Sequence, residues 1–226
     1  MCGRVEFSNS AVVAERLGVK DSDVAREGDN NAFPYKGTFL FGLVDKAPDV
    51  LRHLHWPLIP SWCTTYPEYQ TSNARSEDMH NKASFKHLLG QRHCVIAVDG
   101  FYEWKGKGKD KVPYHFSMAD GSMMMYAGLW DYNTKLEAPV LSCTIITREP
   151  NEIIGEIHDR MPVILTLEQV KIWLDRELPY SERAKVLQPI ENSALIRRVV
   201  GKSVNGAGNK SGDWFDAKDE DGTCLF

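Results

Sequence analysis

HCVIAVDGFYEWKGKGKDKVPYHFSM, residues 93–118, decides the fold. HCVIAV, GFYEWK and VPYHFSM each carry the β-branched and aromatic content of a strand, and GKGKDK between the last two reads as a hairpin turn. Working outward, SMMMYAGLW, PVLSCTIIT, TFLFGLV and LRHLHW are strand-like as well. MPVIL and ALIRRVV add two late strands. Helical pieces are few and short. SAVVAERLGV is capped by Ser8 or Ser10 and stops near Gly18, and MHNKASFKHLLG ends at Gly90. NEIIGEI, TLEQVKIWLDRE (capped at Thr166) and SERAKVLQ follow. DSDVAREGDNNAFPYKG and IPSWCTTYPEYQTSNARSED read as irregular, from their Asp, Asn, Gly and Pro content. Hairpins dominate, so the order predicts an α+β fold of mostly antiparallel sheet with several short helices. It predicts one domain over residues 1–226, with a loose acidic tail from about residue 210.

The composition is that of a globular protein, 42% hydrophobic and 26% charged, with a net charge of −4. A nucleic-acid site must therefore be a local basic patch on an acidic body. The five cysteines, Cys2, Cys63, Cys94, Cys143 and Cys224, are odd in number, widely spaced and free of a CxxC pair. That points to reduced thiols and a cytoplasmic location. There is no apolar run of the ~20 residues a membrane helix needs, and no apolar signal-peptide core near the start.

Four short elements carry chemistry. MCGR puts Cys2 behind Met1; loss of Met1 would leave an α-amine and a thiol on one residue. Such a 1,2-aminothiol condenses with an aldehyde to an imine, and the sulfur then closes a five-membered thiazolidine. In DGFYEWK, residues 99–105, strand alternation sets Phe101 and Glu103 on one face and Tyr102 and Trp104 on the other. Glu103 is then either a partly desolvated proton shuttle or a solvent-facing edge residue. In HDRMP, residues 158–162, His158 sits on a turn, either as an acid–base group or as a helix C-terminal His. In SNARSE, residues 72–77, Asn73 offers donor and acceptor and Arg75 a fork for phosphate, although an ordinary N-cap also fits. His53 and His55 share a strand face without a third ligand of suitable spacing, so no metal site is expected. The lysines of KGKGKDK read as a solvated turn.

Taken in order, MCGR, SNARSE, DGFYEWK and HDRMPVIL resemble the SRAP family, the SOS-response-associated peptidases or abasic-site-processing proteins. WPLIPSW, CTIITREPN and SVNGAGN extend the resemblance to about Asn209. It implies a barrel-like fold. It also implies a protein that binds single-stranded DNA and traps an abasic site through a thiazolidine between Cys2 and the sugar aldehyde. By the same resemblance Asn73 positions the amine or sugar, Glu103 relays protons at the amine, and His158 protonates the ring oxygen. Arg4, Arg75 and Arg160 hold phosphates, Trp62 stacks beside the lesion, and Thr147, Asn31 and Asn205 line the DNA groove. The chain diverges from the family pattern in places. DNNAFPYKG, residues 29–37, keeps only Asn31 and Pro34 and lacks the usual basic and aromatic partners. Pro57, Cys63 and Gly201 replace a glycine, an aromatic and a serine.

The expected function is a monomeric, cofactor-free protein that crosslinks to abasic sites. Two alternatives are a cysteine peptidase acting through Cys2 and a single-stranded DNA-binding module without chemistry.

Overall fold

The computed structural model describes residues 3–21, 25–68 and 70–216. In chain order it contains β1 (Val5–Phe7), α1 (Ser10–Leu17), β2 (Asp29–Ala32), β3 (Phe39–Val44), β4 (Ala47–His55) and β5 (Asn73–Arg75). Then come β6 (His93–Val98), β7 (Gly100–Lys105), β8 (Val112–Met118), β9 (Met124–Asn133), β10 (Val140–Arg148) and α2 (Glu152–Gly155). The last elements are β11 (Met161–Pro162), β12 (Ile164–Leu165), α3 (Leu167–Leu174), α4 (Tyr180–Arg183) and β13 (Leu195–Val199). Strands β4, β3, β6, β9 and β10 pair in that order, and β10 pairs back onto β4. The ring closes into a barrel, which leaves its members no open edge. The closing β10–β4 link is parallel and the other four are antiparallel. A second, antiparallel sheet runs β13-β8-β7-β1-β2.

Residues 93–105 join the two sheets. All six β6 residues are buried, which is why HCVIAV reads as a continuous apolar run instead of an alternating one. Outside the barrel α3 covers β6, and Trp173 Nε1 donates to the Cys94 carbonyl at 3.0 Å. At Asp99 the chain leaves the barrel and enters the second sheet as β7. Asp99 accepts from the Ser8 hydroxyl at 2.7 Å and pairs with Arg16 at 2.9 Å, which ties the crossing to α1. Gly128 allows the neighbours of β9 to close in, since a Cβ there would lie 2.8 Å from both Cys94 Sγ and the Thr144 carbonyl. Fully buried Phe41, Phe101, Phe116 and Trp56 fill the core, each worth roughly 1.5–3 kcal/mol of burial.

Several local expectations are corrected. Helix α1 is capped by Asn9, whose side chain accepts from the Val12 N–H at 3.1 Å, and not by Ser8 or Ser10. Gly18 ends it at φ 64°, as expected. MHNKASFKHLLG forms a 3₁₀ turn at Met79–Asn81 and further tight turns, not an α-helix. Its buried apolar residues, Met79, Phe85 and Leu88, are separated by multiples of three, which suits the three-residue period. Within the stretches read as irregular, β2 forms by pairing with β1, and β5 by parallel pairing with β10. Partners supplied by the fold override weak local propensity there. The C-terminal stretch is anchored as far as residue 216. Trp214 is fully buried against Tyr102, Val200 and Val204, so looseness from residue 210 is not what the chain adopts. Residues 217–226 lie outside the described residues. No helix among the described residues is long and apolar enough to cross a membrane.

Candidate functional site

The alternation read from DGFYEWK is the one the sheet adopts. Phe101 points inward and stacks on Phe116 at 4.8 Å, and Glu103, two residues on, is 5% exposed. Tyr102 points the other way, into the Trp214 cluster. Glu103 is therefore no solvent-facing edge residue. Burial disfavours the carboxylate and pushes its pKa up to about 7. The pairing of β1 with β7 runs Glu6↔Gly100 and Val5↔Phe101, and the Tyr102 N–H donates to the Arg4 carbonyl at 2.9 Å. Carried one step further, this register sets Gly3 opposite Glu103.

His158 follows α2, whose Asn151 cap accepts from the Ile154 N–H, and precedes β11. Its Nε2 lies 3.9 Å from Glu103 Oε2. The Arg160 N–H donates to His158 Nδ1 at 3.0 Å, which requires a lone pair there and leaves the neutral ring's proton on Nε2, facing Glu103. Asp159 Oδ1 also lies 3.0 Å from Nδ1, a contact that favours the imidazolium. Burial outweighs it, and the net pKa shift of His158 is downward. Two groups 55 residues apart in sequence, one from β7 and one from the α2–β11 turn, thus stand together as a carboxyl group of raised pKa beside an imidazole of lowered pKa.

The end of β10 organises the rest. Ile145 to Thr147 pair with Asn73 to Arg75 on one side, and Thr147 and Arg148 pair with Pro162 and Met161 on the other. Asn73 Nδ2 donates to Ser72 Oγ at 3.3 Å, while its buried Oδ1 accepts no hydrogen bond among the described residues. Arg75 is exposed, as a phosphate ligand would be. Arg160 is not. It is 6% exposed, forked onto Glu77, and donates to the Thr147 carbonyl at 2.8 Å. It braces SNARSE against HDRMP, and could take up a phosphate only if Glu77 released it. Thr147, expected to line the DNA groove, is fully buried.

Three more expected DNA ligands hold internal partners. Asn31 is fully buried, and its Nδ2 donates to the carbonyls of Val204, Gly206 and Asn209 at 3.2, 3.1 and 2.9 Å. Arg4 donates to Asn31 Oδ1 at 2.6 Å and to the Val204 carbonyl at 3.0 Å, with its guanidinium between Phe33 and Trp104. Burial lowers the Arg4 pKa. Asn205 accepts from Trp104 Nε1 at 2.6 Å. Together they fasten the SVNGAGN segment to the strand that carries Glu103.

Trp62 is 47% exposed, as a stacking surface must be. DNNAFPYKG, which lacked the expected partners, supplies different ones. Tyr35 is 62% exposed beside Phe33 at 5.8 Å, and Lys36 Nζ stands 4.7 Å over Tyr66, which is also exposed. FPYKG holds two aromatic residues and a lysine within five positions, a composition that suits single-stranded nucleic acid. His53 and His55 have other work: His53 Nδ1 accepts from Arg26 Nε at 2.9 Å, and His55 Nδ1 donates to the Pro57 carbonyl at 2.7 Å. Two cavities of about 570 Å³ lie elsewhere, one walled by Glu6, His115 and Ser117 and the other by Leu17, Met123 and Leu167. Cys2 lies outside the described residues.

Comparison with known proteins finds relatives in sequence and in fold. The family profile described as SOS response associated peptidase (SRAP) matches residues 1–207. Abasic site processing protein YoqW of Bacillus subtilis (strain 168) is 36% identical over 226 residues, covering 96% of this chain and all of that protein. Abasic site processing protein HMCES of Gallus gallus is 33% identical over 178 residues, 67% of this chain and 53% of its own length. A crystal structure of a protein from Bacteroides thetaiotaomicron shares the fold, with a TM-score of 0.78 at 23% identity over 90% of this chain and 93% of that one.

Proposed function

The chain belongs to the SOS response associated peptidase family, and from that premise we propose that it processes abasic sites in single-stranded DNA by bonding covalently to them through Cys2. The observation that carries this reading is the pair of Glu103, on β7, and His158, on the α2–β11 turn, 3.9 Å apart, with the β1–β7 pairing running on toward Gly3. Cys2 is one peptide unit from Gly3, about 3.8 Å between Cα atoms.

Removal of Met1 frees the α-amine of Cys2, with a pKa of ~7.7–8.0. Glu103, at about 7, is matched to take its proton with little driving force lost. The imidazolium of His158, its Nδ1–H held by Asp159, gives its Nε2 proton to the ring oxygen of the abasic sugar as the bond from that oxygen to C1′ breaks, and the neutral ring then takes the proton that the C1′ hydroxyl releases, which leaves the aldehyde. The amine adds to C1′, and Glu103 returns its proton to the hydroxyl, which leaves as water. The thiol sulfur then adds to the imine carbon while its proton passes to nitrogen. The net change is aldehyde plus aminothiol to thiazolidine plus water, and no cofactor enters. Asn73 Oδ1, a buried acceptor in want of a donor, receives the amine N–H. Arg75 holds a phosphate, and Trp62, Tyr35 and Tyr66 stack unpaired bases. The protein acts as a monomer in the cytoplasm, where Cys2 stays a thiol.

The test is a denaturing gel. Wild-type protein mixed with single-stranded DNA bearing one abasic site gives a heat-stable shifted band, and intact mass records loss of Met1. Cys2→Ala gives no band. A band that persists with Cys2→Ala sinks the reading.

A further inference from the structure

Trp62 sits on a loop, residues 57–63, with no strand or helix of its own. Side chains at the adjoining ends of β9 and β10 take up the loop's backbone groups instead. Asp131 Oδ2 accepts from the Ser61 N–H at 2.7 Å. Asn133 Nδ2 donates to the Pro60 and Cys63 carbonyls at 2.7 and 2.9 Å. Ser142 Oγ accepts from the Ile59 N–H at 2.8 Å. All three side chains are fully buried, and Asp131 stands opposite Ser142 in the β9–β10 register. Asp131 is itself clamped by Arg92 at 2.6 Å and by the Tyr132 N–H at 2.8 Å. These residues bracket Trp62 on both sides and leave its indole outside. Ile59, with no exposed surface, pins one end of the same loop.

We propose that Asp131, Asn133 and Ser142 are positioning residues that pre-set the Trp62 ring for stacking on an unpaired base of the DNA strand. The proposal rests on the reading of Trp62 as a stacking surface. Polar side chains buried at the end of a barrel strand cost stability unless every partner is met. Here each is met by the loop, so the loop's conformation is fixed before DNA arrives. A stacking ring held ready loses less freedom on binding than one on a mobile loop.

The experiment measures equilibrium binding of a labelled single-stranded oligonucleotide carrying a tetrahydrofuran abasic analogue, which has no aldehyde and so isolates binding from chemistry. Trp62→Ala weakens binding by about tenfold to a hundredfold, the range of one stacked base. Asp131→Asn and Ser142→Ala each weaken it at least threefold, and each adds less than about twofold in the Trp62→Ala background, because coupled residues do not add. Amide hydrogen exchange at Ile59 and Ser61, without DNA, accelerates in both variants. If Asp131→Asn fails to fold, Ser142→Ala and its exchange rates decide alone. Normal affinity in Asp131→Asn and Ser142→Ala, with Trp62→Ala still impaired, overturns the positioning role and leaves Trp62 standing. Additive losses in the double variants mark a general structural effect and also overturn it. An unimpaired Trp62→Ala removes the stacking reading itself.

Discussion

Two buried carboxylates, Asp131 and Glu103, sit on strands of this molecule at 0% and 5% exposure. Each has a histidine beside it, His87 Nε2 at 3.4 Å from Asp131 and His158 Nε2 at 3.9 Å from Glu103, and the rest of their surroundings differs. Asp131 accepts from Arg92, from Ser61 N–H and from Tyr132 N–H, all within 2.8 Å, and serves as an anchor. Glu103 faces the His158 imidazole at 3.9 Å, with the net pKa of that histidine lowered and its own raised to about 7. Burial alone therefore does not distinguish a brace from a proton carrier; Asp131 is committed to a guanidinium and two backbone N–H groups, whereas Glu103 stands beside an imidazole with its own pKa raised to about 7.

Replacing Glu103 is the largest break in that comparison. Glu103→Gln keeps shape and burial but cannot move a proton, so the rate of crosslinking falls by about 10²–10⁴-fold in a timed gel assay. The wild-type rate peaks near pH 7, where Glu103 is half ionised, and the variant has lost that peak. A rate within a few-fold of wild type removes Glu103 from the chemistry.

His158→Ala comes next, with an expected slowing of about 10²-fold. The deficit is specific to a sugar that must open. On an oligonucleotide bearing an acyclic aldehyde in place of the abasic sugar, wild type and His158→Ala crosslink at similar rates. An equal deficit on both substrates assigns His158 to another step.

Stability then separates the two carboxylates in sign. A raised folded pKa means that, between the unfolded value of ~4.3 and about 7, the folded state binds more protons than the unfolded one. Glu103 thus costs stability that grows as pH rises through this window and is full above it. Glu103→Gln is expected to unfold at a higher temperature than wild type at pH 8, by the equivalent of about 2 kcal/mol, with little difference at pH 4.5. Asp131→Asn moves the other way by about 1–3 kcal/mol, because it weakens donors already committed to it. Thermal melts of both variants at the two pH values check this, and a destabilised Glu103→Gln at pH 8 contradicts the assignment.

Much of this contrast could be read before the structure. The strands of the barrel announced themselves as apolar runs, and Glu103 was legible from its period-two partnership with Phe101. What could not be read were groups whose partners lie far along the chain. Asn31 looks like a ligand because an amide suits DNA, yet its partners are carbonyls of residues 204, 206 and 209. Thr147 and Arg160 lie at the end of β10 and beside it, where two short strands flank it, and neither β5 nor β11 has enough residues to show a period. Asp131 gave no signal at all, because a lone aspartate in WDYN resembles a turn residue until the loop it holds is in view.

Arg75 offers the smallest effect and a sharp contrast with Arg160, since one guanidinium is exposed and the other forked onto Glu77. A phosphate contact on a single strand releases about 0.7 of a counterion, so Arg75→Ala should lower the slope of log affinity against log salt by about that amount. The loss of affinity should be the same for every sequence, because phosphate contacts carry no base information. Arg160→Ala should leave that slope almost unchanged and lower the melting temperature instead, since it strands Glu77 and frees the Thr147 carbonyl. Binding titrations from 50 to 200 mM salt, a range over which such slopes are resolved, separate the two arginines. A slope change in Arg160→Ala and none in Arg75→Ala would reverse their roles, and would mean that Glu77 gives up its arginine when DNA binds.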